Sequence, residues 1–166
     1  MPLLCYNLYG DSMKEYLDIA ILESKINMNN NYQNGGPFGA VIVKDNEVIA
    51  SGHNTVIESN DATAHAEINV IREACKKLNT HDLSNCILYT SCEPCPMCLS
   101  AIIWSNIKEV YFANTKKDAA DIGFRDNEIY DFLNNKNNLI NLHHIDSKEA
   151  IEVFNEFKKI ENKNIY

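Results

Sequence analysis

The chain has 166 residues, 45% hydrophobic and 23% charged, with a net charge of −8 at pH 7. That length suits a single domain spanning residues 1–166 that buries its own core, and the balance excludes a disordered chain. No block of Lys and Arg gives it the footprint of a phosphate-backbone binder, and no run approaches the roughly 18 to 20 apolar residues of a membrane span, so neither nucleic acid nor membrane is an expected partner.

The opening stretch MPLLCYNLYGDSMKEY lacks a basic region followed by a long apolar segment, so a cytoplasmic location with reduced thiols is expected. After Asp11 and Ser12, which can cap a helix, Met13, Tyr16, Leu17, Ala20, Ile21 and Met28 recur at helical spacing and predict a first helix. The cluster NNNYQNGGPFG breaks it. FGAVIVKDNEVIASG reads as two strands joined by a turn at Asp45 and Asn46. Ile68, Ile71, Ala74, Cys75 and Leu78 fall three and four apart, the stripe of a core-facing helix over 64–78.

CILYT at 86–90 reads as a short strand. Pro96 suits the first position of a buried helix running through Leu99, Ile102, Ile103 and Trp104, and the strand IKEVYFAN follows. Further on, TKKDAADIGFRDNEIYDFLNNKNN reads as a loop with one short helix and LINLHHI as a fifth strand. Ser147 caps a last helix whose stripe is Ala150, Ile151, Val153, Phe154 and Phe157. The Asn-rich runs at 27–34 and 134–141 are read as loop composition and assigned no chemistry. Strands alternating with helices predict an α/β layer fold with helices on both sheet faces.

The chemistry is carried by HAE at 65–67 and PCPMC at 94–98. Cys95 and Cys98, three apart at the start of a helix, share one face and can reach one ion. His65 and Glu67 would stand about 200° apart on an ideal helix, so they share a site only across its first turn. Both motifs therefore point to helix amino termini, whose partial positive charge favours thiolates. One imidazole and two thiolates leave a tetrahedral zinc neutral with one position open, the mark of catalysis, and zinc lowers the pKa of bound water to about 7. Glu67, kept off the metal, is placed to move that water's proton. Either motif alone is weak; together they are the signature of zinc deaminases.

Through GGPFGAVIVKD, SNDATAHAEINVIREAC, LYTSCEPCPMCLSAIIW and DAADIGFRDNEIYD, the chain resembles the cytidine deaminase superfamily, and within it bacterial-type guanine deaminases. The resemblance implies a three-layer α/β/α sandwich around a five-stranded mixed sheet. It also implies one zinc per subunit on His65, Cys95 and Cys98, with Glu67 as proton shuttle, and hydrolysis of guanine to xanthine and ammonia. It gives Asn54 the role of holding the base edge and Asp126 a part in recognising the base. In the mechanism expected here, the Ala66 N–H helps hold the adduct. Phe38 either stacks on the base or is plain core. The resemblance further implies a homodimer in which the segment from about 147 to 166 is exchanged, bringing Tyr166 over the partner's site.

Cys92 is expected to be a packed thiol; as a fourth ligand it would instead make the zinc purely structural. Guanosine deaminase is the near alternative, since it differs mainly in the room around N9, and a transfer RNA adenosine deaminase fits the acidic chain less well.

Overall fold

The computed structural model describes the backbone of residues 5–166 and the side chains from residue 12 onward. The first helix, α1, covers Cys5–Ser24, so Asp11 and Ser12 lie within it rather than at its cap. A 3-10 turn over Ile26–Asn30 leads to the hairpin of β1 (Gly39–Lys44) and β2 (Glu47–His53). Asp45 and Asn46 both take positive φ, 51° and 64°, as a two-residue hairpin turn requires. A one-turn helix, α2 (Val56–Ser59), precedes α3 (Ala66–Leu78), β3 (Ile87–Cys92), α4 (Pro96–Trp104) and β4 (Glu109–Asn114).

Among the described residues the sheet has four strands in the order β2-β1-β3-β4, with β1 antiparallel to both neighbours and β3 parallel to β4. Alternate residues of β1 face opposite layers, as the period of a strand demands. Ala40 and Ile42 pack with Val70, Ile71 and Ala74 of α3 and Ile102 of α4, whereas Val41 and Val43 pack with Ala20 of α1 and Tyr89 of β3. The result is a three-layer sandwich with α1 on one face and α3 and α4 on the other.

The region after β4 departs from expectation in two ways. The stretch 115–138 holds two short helices rather than one, α5 (Lys116–Asp121) and α6 (Asp126–Leu133). The first is set by a reciprocal capping box between Thr115 and Asp118, a signal the apolar pattern does not carry. Among the described residues, the expected fifth strand, 139–145, pairs with no other strand, and the outer edge of β4 stays open. The last helix, α7 (Lys148–Lys159), forms with the expected Ser147 cap, whose Oγ accepts from the Ala150 N–H at 3.1 Å. Its apolar stripe nevertheless covers no core: Val153 and Phe154 are 66% and 73% exposed.

Candidate metal centre and active site

Two helix amino termini converge on one point. His65 is the N-cap of α3 and Cys95 the N-cap of α4, both in extended backbone, and neither side chain caps its own helix. Pro96 at the first helical position fixes where α4 begins, which places Cys98 one turn in. His65 Nδ1 lies 3.6 Å from the Sγ of both Cys95 and Cys98, and the three donor atoms fall within 4.8 Å of one another. Zn–S bonds of about 2.3 Å and Zn–N bonds of about 2.0 Å set ligand separations of about 3.5 Å around a tetrahedral ion, so the donor set fits zinc with one position open.

The electrostatics agree. A hydrogen bond from the Cys98 thiol, reinforced by His65, pulls the Cys95 thiol down to about 4. Cys98 is pushed up by its hydrogen bond with Cys95 and by burial, so without metal one proton stays between the two sulfurs. A bound cation takes the place of that proton. The Cys95 hydrogen bond also raises the His65 imidazole.

Glu67 is only 5% exposed and lies outside the donor triad. The hydroxyl of Thr90, fully buried on β3, donates to its Oε1 at 3.0 Å. Burial is the main reason its carboxyl is raised above the usual range. Ala66 is the first residue of α3, so its N–H is among the donors a helix leaves unpaired at its start.

Cys92 is not part of the triad. Its Sγ lies 3.7 Å from the Thr115 carbonyl, and burial pushes its thiol up to about 12. The closed four-ligand arrangement is thereby disfavoured. Cys92→Ser is expected to retain one zinc per subunit and leave the absorption of the cobalt-substituted protein unchanged; an altered spectrum would mean that sulfur reaches the metal.

A narrow inner chamber of about 40 Å³, walled by Phe38, Asn54, His65, Glu67, Cys92, Glu93, Cys95, Phe124 and Asp126, adjoins a vestibule of about 650 Å³. Thus Phe38, Asn54 and Asp126 stand around Glu67 and the triad. Phe38 packs both ways: it touches the core and makes an edge-to-face contact with Phe124, ring centroids 4.7 Å apart. Gly36 permits that pair, because a Cβ there would come within 2.9 Å of both rings. Asn54 is 4% exposed, and its Oδ1 accepts from the N–H groups of Gly36 and Val56 at 3.3 and 3.2 Å. Its Nδ2 is therefore the group left to the chamber. Asp126 begins α6, and desolvation raises its carboxyl.

Tyr166 is not in this cluster. Its ring is 5.7 Å from Trp104 and 6.2 Å from His81, beyond the carboxyl ends of α4 and α3 and opposite the ends that carry Cys95 and His65. The sequence reading misses the wall residues Phe124 and Tyr32, and Thr90, which holds Glu67. Phe124, two residues before Asp126, is legible as an aromatic beside a candidate, whereas Thr90 and Tyr32 carry no local signal.

Residues 11–114 match the family model described as the cytidine and deoxycytidylate deaminase zinc-binding region. The guanine deaminase of Bacillus subtilis is 48% identical over 134 residues, 80% of this chain and 86% of that protein. Its crystal structure superposes with a TM-score of 0.85 at 44% identity, covering 92% of this chain and 98% of that one. A tRNA-specific adenosine deaminase of Aquifex aeolicus is 38% identical over 157 residues, 92% of this chain and 99% of that protein. With the His-Cys-Cys triad at two converging helix starts, these likenesses place the fold and the metal chemistry together: the chain belongs to the cytidine and deoxycytidylate deaminase family of zinc-binding proteins.

Proposed function

We propose that the protein is a zinc-dependent guanine deaminase that hydrolyses guanine to xanthine and ammonia. The observation that carries this reading is the pairing of Asp126 and Asn54 across the chamber that contains Glu67. Guanine offers ring N–H donors that a carboxylate accepts and, on another edge, acceptors for the Asn54 amide. A polar site of this kind rejects bases with the wrong donor pattern strongly.

His65, Cys95 and Cys98 would hold the zinc ion, which would supply the Lewis acid that activates water near neutral pH. Glu67 takes the proton that water sheds as it adds to C2 and passes protons to ring N3 and to the departing amine. Burial raises its carboxyl above the usual range, the direction that favours a group that must both accept and donate a proton. The Ala66 N–H helps hold the adduct, and Phe38 with Phe124 walls in the base plane. Thr90 fixes the rotamer of Glu67. Thr90→Val is expected to lower kcat roughly tenfold with zinc content unchanged, the worth of one hydrogen bond to a charged group; a normal kcat would show that packing alone holds Glu67.

The guanosine reading is weaker. Apart from the phenol of Tyr32, the vestibule walls beyond the chamber are backbone and the apolar Pro37, Val56, Ile57 and Ile122, which offer ribose hydroxyls no side-chain partner. The net charge of −8, with no block of Lys and Arg, likewise fits a transfer RNA less well. Ammonia release on guanine, guanosine, cytosine, cytidine and adenine in parallel tests the assignment: turnover confined to guanine is expected, and preference for guanosine would overturn it. Asp126→Asn, which swaps an acceptor for a mixed amide, is expected to cost about a hundredfold in kcat/KM for guanine.

The reading extends to assembly and place. The working form is a homodimer whose 139–145 segment lies as a fifth strand on β4 of the other subunit, with the 147–166 segment following it. Supporting this are the open edge of β4 and the exposed Leu142, Ile145, Val153 and Phe154. The described cysteines are all free thiols, which suits the cytoplasm.

A further inference from the structure

We infer that Asn27 is a positioning residue for substrate: it sets the base-holding amide of Asn54 from 27 residues away. The inference rests on the role given to Asn54 above. Asn27 belongs to an asparagine-rich stretch with no other mark, yet it is only 1% exposed, inside the 3-10 turn Ile26–Asn30.

Both N–H donors of its side-chain amide are committed. Nδ2 donates to the Asn54 carbonyl at 2.8 Å and to the Gly36 carbonyl at 3.0 Å. The orientation is forced, because a flipped amide would press its oxygen against two carbonyl oxygens. The opposite atom, Oδ1, is buried with no hydrogen-bond partner among the described residues. A buried amide that leaves its acceptor unpaired is retained for its donors.

Those donors close a bracket around Asn54. Gly36, held through its carbonyl by Asn27, donates its own N–H to Asn54 Oδ1 at 3.3 Å. Asn54 N–H donates to the Phe38 carbonyl at 3.0 Å. The turn presses so closely that a Cβ on Gly35 would lie 2.4 Å from both Asn54 O and Asn54 Oδ1. Asn27 thus tethers the Asn54 backbone directly and its side-chain oxygen through Gly36, which aims Nδ2 into the chamber. Its own carbonyl accepts from Tyr32 N–H at 2.7 Å, so the same residue also anchors the vestibule wall.

A double-mutant cycle on the zinc-loaded, full-length protein tests this. Asn27→Ala is expected to raise KM for guanine about tenfold while kcat changes less than about threefold, with one zinc per subunit retained. In an Asn54→Ala background the same change is expected to leave kcat/KM unaltered within about twofold. Asn27→Asp, which keeps the shape and loses the donors, serves if the alanine variant does not fold. Additive losses in the two backgrounds, or no rise in KM from Asn27 alone, would overturn the inference. An Asn54→Ala protein with normal guanine kinetics would remove the base-holding reading and the inference with it. Absence of guanine turnover in the unaltered protein would instead fail the function assignment, and guanine affinity of the same four proteins, measured by calorimetry, would then decide: coupled losses support the bracket and uncoupled ones overturn it.

Discussion

Glu67→Gln is expected to leave the protein folded with one zinc per subunit and to lower kcat for guanine by at least about a hundredfold, toward the ten-thousandfold that general acid–base catalysis can supply. Glutamine preserves the shape and can still accept the Thr90 hydrogen bond, now 3.0 Å long, but it cannot take and return a proton. Zinc is untouched because Glu67 is not among the three donors within 4.8 Å of one another. Zinc content and near-ultraviolet circular dichroism check the first half of this expectation, and steady-state ammonia release checks the second. Turnover near that of the unaltered protein would sink the assignment of Glu67.

The same substitution has an opposite consequence for stability. Burial holds the Glu67 carboxyl above its ordinary value of 4.5. In that window the folded state binds more protons than the unfolded one, so stability falls as pH rises from the unfolded value through the folded one. Glutamine carries no such penalty. With zinc removed from both proteins, the Glu67→Gln variant is therefore expected to melt at a higher temperature than the unaltered chain at pH 7. The two melting at the same temperature would mean that the buried carboxylate is already compensated. Stability surrendered at a residue proposed to do the chemistry is the usual trade in an active site.

Activity should also pass between chains. Deleting the segment from Ser147 onward is expected to abolish most turnover, and co-expressing that truncated chain with Glu67→Gln is expected to restore part of it. In a swapped heterodimer the truncated chain supplies an intact Glu67 while its partner supplies the covering segment, so one complete site forms. If the segment served its own chain, no combination of the two would be complete, and the co-expressed pair would stay inactive. The geometry within one chain favours exchange: Tyr166 rests by Trp104 and His81, at the helix ends opposite those bearing His65 and Cys95. The mixed species can be purified through different tags on the two chains, and its mass should be that of two subunits, each 18.9 kDa in the full-length form.

The metal centre was legible in the sequence because its geometry is local. Cys95-x-x-Cys98 straddling the helix-starting Pro96, and His65-x-Glu67 at a helix start, fix side-chain directions through backbone rules that need no distant partner. The strands of the sandwich were legible for the same reason, since alternation along β1 sorts its residues onto two faces.

What only the tertiary structure decided are contacts between positions far apart in the chain. Thr90 on Glu67 and Asn27 on Asn54 look in sequence like an ordinary strand residue and one asparagine among many. The tail illustrates the remaining limit. Its helix and cap follow from periodicity and Ser147, yet periodicity says only that the apolar face must be covered. Where residues 139–166 lie was decided by topology: among the described residues the segment pairs with no strand and leaves the edge of β4 open, because hydrogen-bond pairing and burial of a stripe are settled by what meets it in space and not by the residues that form it.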